Sequence, residues 1–554
     1  MVANNSTPST GDQASAAAVE ELPVVNAEMA TPSATDPNRG KKTADNVGIV
    51  FAALMLTMLM SSLGQMIFGS ALPTIVGELG GVDQMSWVIS AFMVTMTIAM
   101  PLAGQLGDRM GRKWVYITGI AIFVIGSAIG GSAIGGFASG MGVLITGRAI
   151  QGFGAGIMMI SSQSIVAEVV SARERGKFMG IMGGVFGVSS VLGPVLGGWF
   201  TDGPGWRWGL WINIPLGLLA IIVCIFVLKL RVGEQGFKGF DWMGFAAMAI
   251  TTSTLILLTT WGGSEYEWTS PTILSMAAVV IVGILLTVFI ESRAAQPLIP
   301  VQLFKNRNMV LTTIAGTVLG LAMMGVLGYM PTYLQMVHTL TPTEAGLMMI
   351  PMMVGMIGVS TGVGFIIAKS GNYKVYPIVG LAITAFALWW MSQMTVDTSL
   401  TGIGVRFFVF GVGLGFVMQV LVLIVQNSFP IAQVGTATAA NNFFRQIGSA
   451  LGASIVGSMF IHNMQDEMSV RLPDAIASLG KEGAELAQQF SGADAANSLT
   501  PHAVAELPDA LRDAILNSYN DGLTPVIGMM VPLAVIAMLV LFPLRQERLK
   551  ETIE

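Results

Sequence analysis

The chain has 554 residues, is 53% hydrophobic and only 11% charged, and its mean hydropathy is +0.71. Soluble domains carry about 25% charged residues, so these values exclude a string of them and indicate a membrane protein. A formal charge of −5 implies neither nucleic acid nor a strongly anionic partner, and the single cysteine, Cys224, excludes an intrachain disulfide.

Residues 1–46 are rich in Ala, Ser, Thr and Pro, with the basic cluster Arg39, Lys41 and Lys42 near their end. Too little apolar surface is present for them to fold alone, so a disordered cytoplasmic tail is expected. They lack the basic, apolar and cleavage-site order of a signal peptide, and the first helix is therefore expected to be retained. Apolar runs then predict fourteen helices, near residues 48–76, 86–104, 114–134, 141–166, 178–201, 208–229, 241–261, 271–291, 309–335, 344–368, 375–394, 402–426, 444–462 and 522–543. Crossing the hydrocarbon takes about 20 residues, and backbone in lipid must satisfy its own hydrogen bonds, so these segments read as membrane-spanning helices.

Alternate connections collect the cations: Arg109, Arg112 and Lys113, then Arg173, Arg175 and Lys177, then further groups ending with Arg545, Arg548 and Lys550. The other connections are nearly bare, which places both termini in the cytoplasm. The segment 463–521 falls outside, is rich in Ala and Asp, and shows helical patterning in PDALRDAILNSYNDGL. It is expected to be an exterior loop, either a small amphipathic cap or a solvated linker.

An internal repeat links two weak pairs of motifs. Gly104, Arg109, Gly111 and Lys113 reappear as Gly364, Lys369, Gly371 and Lys374, and GRAIQGFGAG with Arg148 reappears as VRFFVFGVGLG with Arg406. The shared offset, close to 260 residues, implies duplication with like topology in both halves. The expected organisation is a cytoplasmic tail 1–46, a six-helix bundle 47–230, two inserted helices 231–292, a second six-helix bundle 293–545 and a cytoplasmic tail 546–554.

A charge within the bilayer costs at least about 2.5–3.5 kcal/mol, so it needs a partner or a task. Arg148 is predicted about seven residues inside its helix; a cavity role and structural pairing are both open to it, while for Arg406, nearer a helix end, pairing is the better reading. The glycines of GVFGVSSVLGPVLGGWF, including Gly187, Gly193, Gly197 and Gly198 around Pro194, permit close helix packing, and Pro194 permits a bend. Gln65, Gln335, Gln419, Gln426 and Asn442 are candidate polar lining of a cavity, or else bonds between neighbouring helices. The 38 methionines would suit an adaptable pocket as well as ordinary apolar packing.

GQLGDRMGRK resembles the signature turn of the major facilitator superfamily, LITGRAIQGFGAG its helix-four arginine motif and GVSSVLGPVLGG its helix-five antiporter motif. WRWGLWINIPLG, NNFFRQIGSALG and the fourteen helices are similar to its fourteen-helix drug:proton antiporter branch. This resemblance implies an all-α major facilitator fold arranged as 6+2+6 helices. It implies a central cavity open alternately to either side, and efflux of amphipathic small molecules across the plasma membrane coupled to proton entry. It further implies a cytoplasmic gate of Gly104, Asp108, Arg109, Gly111 and Arg112, with Arg112 and Lys113 read by themselves as topology-setting cations. Arg148, Gln151 and Gly152 carry the helix-four motif, with Arg148 linked to proton coupling.

One departure bears on that coupling. The branch carries an acid in helix one where SSLGQMIFGSALP has Gly64, and no predicted helix has a carboxylate near its middle. Arginine stays charged at accessible pH, so coupling falls to an end-located acid such as Asp108, Glu168 or Asp202, or is weak or absent. An exporter of a lipid or cell-envelope precursor, with an envelope partner at 463–521, is the alternative reading, and a receptor or scaffold is a third. No P-loop, zinc spacing or serine elbow is found, so neither enzymatic activity, nor a metal, nor a cofactor is expected.

Overall fold

The computed structural model describes residues 47–80, 84–132, 140–230, 236, 239–263, 265–479, 504, 506–547 and 549. In chain order the helices are α1 (Val47–Leu79), α2 (Met85–Met110), α3 (Arg112–Gly130), α4 (Met141–Val169), α5 (Ala172–Asp202), α6 (Trp208–Trp211), α7 (Asn213–Val227) and α8 (Trp242–Trp261). They continue with α9 (Pro271–Arg293), α10 (Arg307–Val337), α11 (Pro342–Leu347), α12 (Ile350–Ser370), α13 (Val375–Met391), α14 (Leu400–Asn427), α15 (Ile431–Ser478) and α16 (Asp509–Leu541). Each predicted segment coincides with one helix or with a broken pair, α6–α7 or α11–α12. Among the described residues, 12 helices are long and apolar enough to cross a membrane, α13 being shorter.

Local chemistry sets many of the boundaries. Ser171, Asp241, Ser270, Asn306 and Ser399 cap α5, α8, α9, α10 and α14 by accepting from backbone N–H groups one turn in, and Thr341 with Glu344 forms a capping box on α11. Gly111 ends α2 at φ 93°, a conformation that side chains disfavour, and this allows α3 to begin at the next residue.

The helices pack in two groups. One apolar core draws on α10 to α16, with Phe407, Phe410, Tyr333 and Leu388 fully buried; two others gather α1 to α7. The groups meet where α5 packs on α12 and α2 on α15, and α8 lies against both α2 and α15.

Two expectations need correcting. The helix expected from residue 444 begins at Ile431, and it runs on to Ser478. Its first turns read VGTATAANN, too small and polar to register as an apolar run, and they are helical because they pack against α2. Likewise the loop expected from 463 is helical in α15 as far as Ser478, and α16 starts at Asp509 rather than near 522. The two extensions are tied by Arg471, which bonds Glu467 at 3.0 Å and Asp521 at 2.5 Å. Residues 480–503 lie outside the described residues, as do the tails 1–46 and 550–554.

Candidate functional site

Between the two groups lies a chamber of about 710 Å³, its open side included. Its wall comes from α1, α2, α4 and α5 on one side and α10, α14 and α15 on the other. Met58, Met96, Met159, Met323, Met324 and Met418 supply flexible apolar surface, and Gln65, Gln163, Gln419, Gln446 and three serines supply polar groups. Across it, α1 and α10 do not pack together as α5 and α12 do. Among the described residues Arg445 is the one charged side chain on the wall, and no carboxylate faces it.

The end of the chamber nearest the Gly104–Lys113 turn is held shut by bonds between the two groups. Asp108 accepts from the Gly435 N–H at 3.0 Å and from the Thr436 N–H and Oγ1 at 2.7 and 2.9 Å. Arg112 donates to Asp108 Oδ1 at 2.8 Å and to the Ile431 carbonyl at 2.6 Å. Its other nitrogen reaches the Ser164 carbonyl at 2.9 Å and Glu168 at 3.3 Å. The pair therefore addresses both Ile431 C=O and Gly435 N–H, the two ends of the first i to i+4 link of α15, and the carboxylate also meets the positive end of that helix. With side chains 6% and 4% exposed, Asp108 and Arg112 form a buried ion pair. Gly104 is required beside it: a Cβ there would lie 2.5 Å from Ala439 Cβ and 2.6 Å from the Gly435 oxygen.

A second clasp joins α5 to α12. Arg173 donates to the carbonyls of Ala368 and Lys369 at 2.8 and 2.7 Å, and Ser360 Oγ donates to the Gly180 carbonyl at 3.0 Å. Above both clasps Gln426 donates to the Gln163 carbonyl at 3.1 Å and Asn442 to Gln163 Oε1 at 2.9 Å.

Arg148 stands away from the chamber, fully buried among α1, α2 and α4. It donates to the carbonyls of Gly64 at 2.6 Å and Val88 at 3.2 Å and to Gln151 Oε1 at 2.7 Å, with its guanidinium carbon 4.4 and 4.2 Å from the Phe68 and Phe92 ring centres. Gln151 in turn donates to Ser127 at 2.8 Å, and Gly152 is needed because a Cβ there would collide with the Phe92 carbonyl. Where the branch has its helix-one acid, this chain offers Arg148 a backbone oxygen.

The other predicted residues divide. Gln65 and Gln419 stand on the chamber wall; Gln426 sits in the seal; Gln335 bonds the carbonyl of Pro331 on its own helix. Arg406 bonds the Trp390 and Gly402 carbonyls and stacks on Trp390, so it belongs to packing around α13 and α14. In the helix-five motif a Cβ on Gly187 would strike Met356 and one on Gly193 would strike Met66, whereas Gly198 is nearly open. Gly197 is buried in the same helix, and α5 stays helical through Pro194, whose side chain, like that of Asp202, lies outside the described set. Arg109 occupies the last turn of α2, and Lys113 bonds the Ile225 carbonyl at 2.7 Å. Arg112, read from sequence as setting topology, also clasps the two groups together.

Three participants escaped the sequence reading: Arg445, Gln163 and the Gly435–Thr436 backbone. With the helix expected to start at 444, Arg445 falls in its first turn and is given no role. Starting at Ile431, it lies about four turns in, at the depth of the chamber.

Helix groups on two sides of a chamber, clasped at one end, define a transporter rather than an enzyme. The chain belongs to the Major Facilitator Superfamily, whose family model matches residues 54–453. An uncharacterised transporter of this type from Mycobacterium tuberculosis is 35% identical over 90% of this chain and 69% of its own length. The multidrug transporter MdtP of Bacillus subtilis is 32% identical over 84% of this chain and 86% of its own. Relatives of that kind accord with the drug:proton antiporter branch. The solved proton:xylose symporter XylE superposes with a TM-score of 0.58 over 92% of this chain and 98% of its own, and at 13% identity shows the fold alone. This is a multi-pass plasma-membrane protein.

Proposed function

We propose that the chain is a secondary active exporter of amphipathic compounds, working by alternating access between two six-helix bundles, with the two inserted helices flanking them. The observation that carries this reading is the chamber closed at one end by polar clasps between the groups, because such clasps can break and reform as the bundles rock. The clasped end holds the basic turns and is taken as cytoplasmic. Export of drugs is the activity for which MdtP is named, and a methionine-lined wall suits varied apolar cargo.

Proton influx finds its acceptors at the seal. Protonating Asp108 would remove its ion pair with Arg112 and weaken the inner clasp, and Glu168 stands on the same arginine. Cells expressing the protein should accumulate less of several members of a panel of neutral, anionic and cationic amphipathic dyes than cells with empty vector. Purified protein in liposomes should concentrate the same compounds, and collapse of the pH gradient should halt this if protons drive it. Absence of transport for the whole panel in both assays would overturn the exporter reading.

A further inference from the structure

We propose that the chamber is built for an amphipathic monoanion: a single oxyanion head against Arg445 and an apolar body along the methionines. This names the cargo class of the exporter proposed above and rests on that reading for the transport step, though not for binding.

Arg445 is 9% exposed and lies on the chamber wall, where no Asp or Glu stands among the described residues. Its one hydrogen bond to a described residue runs from Nη2 to Asn442 Oδ1 at 2.6 Å. That oxygen is neutral, and a guanidinium has five N–H donors. Nor can the asparagine turn freely, since its Nδ2 donates to Gln163 Oε1 and to the Thr438 carbonyl, both at 2.9 Å.

A fixed cation with spare donors in a partly dry chamber attracts an anion and repels a second cation, and a guanidinium fork matches carboxylate, sulfonate or phosphate oxygens. A second observation points to a polar guest. Gln419 is 5% exposed, lines the same chamber, and its side-chain oxygen has no partner. A buried amide left unsatisfied is costly, and a head group on the cargo would complete it.

Export of a monoanion also bears on the missing acid. Each cycle carries one negative charge outward, and an interior-negative membrane potential favours that direction by about fifty-fold per 100 mV. A chamber without a titratable acid is sufficient for such cargo. A cationic drug would have to leave against both the potential and Arg445.

The test uses three matched probes with a common dansyl-labelled alkyl body: a sulfonate, an uncharged alcohol and a trimethylammonium. Binding to the full chain in lipid nanodiscs is read by fluorescence titration. The sulfonate should bind about tenfold or more tightly than the trimethylammonium. Arg445→Gln should abolish that preference chiefly by weakening sulfonate binding, with the alcohol still bound, which also reports that the variant is folded, and Arg445→Lys should keep most of the preference. Equal binding of the three probes, preference for the cation, or a preference that survives Arg445→Gln would overturn the proposal. In liposomes with a potassium-set potential, reversing the potential should reverse sulfonate movement. If no probe is transported but the Arg445-dependent preference holds, the cargo assignment stands and the exporter reading falls.

Discussion

Arg148 is the deepest test of how this chain tolerates charge. It is buried with no carboxylate partner among the described residues, held by backbone carbonyls, Gln151 and two aromatic faces. Carbonyl dipoles and ring faces compensate a cation less fully than an acid would, so an acid at position 64 should couple to it. A Cβ on Gly64 would sit 3.2 Å from Phe123 and 3.6 Å from Gln151 Nε2, which asks only for a small movement of the ring. In a double-mutant cycle of Gly64→Asp with Arg148→Met, thermal unfolding should show a favourable coupling of about 1–3 kcal/mol. Zero coupling would mean that a side chain at 64 does not meet the guanidinium.

At the scale of elements, the contact of α2 with the first turns of α15 combines shape with charge. Removing one member of a buried ion pair costs about 3–5 kcal/mol, enough to shift a two-state equilibrium by about a hundredfold or more. Asp108→Asn should therefore populate a form with the C-terminal end of α2 and the N-terminal end of α15 apart, and Gly104→Val should enforce it by the steric clash with Ala439 and Gly435. Spin labels on those two ends, measured by pulsed electron resonance, should show longer distances in both variants. Unchanged distances in both would make the seal a static joint. The same contact explains why α15 begins earlier than its composition suggests: small residues at Gly435 and Ala439 let α2 approach closely enough for Asp108 to reach backbone N–H groups.

Over the whole molecule, the ion pairs between described residues sit at helix ends or in the extensions of α15 and α16. At the end opposite the seal, Glu78 accepts from Arg207 and from the Trp206 indole, both at 2.7 Å, joining α1 to the α5–α6 connection. The Arg207 bond, with help from Trp206, holds the Glu78 carboxyl below its ordinary 4.5. A lowered native value means the stabilisation is present above 4.5 and disappears as pH falls through 4.5 and then below the native value. Glu78 is about half exposed, so the contribution is under about 1 kcal/mol. Glu78→Gln should thus lower the melting temperature by up to about one degree at neutral pH and by nothing in strong acid. A deficit that persists in acid would assign the effect to packing instead of charge.

The amino-acid sequence by itself determined where the helices lie, apart from the starts of α15 and α16, because a spanning segment is a property of composition over about 20 residues. It also marked Asp108, Gly104 and Arg148 as unusual, because charge and glycine stand out against apolar helices. Only the tertiary structure decided what those residues meet. Asp108 pairs with Arg112 and with the backbone of a helix more than 300 positions later, contacts without any local signature. Gln65 and Gln419 face the chamber while Gln335 does not, a matter of helix rotation that near-uniform hydrophobicity leaves undefined. Arg445 was hidden for the same reason: its depth follows from where α15 begins, and that start is fixed by contact with α2 rather than by the residues of α15 alone.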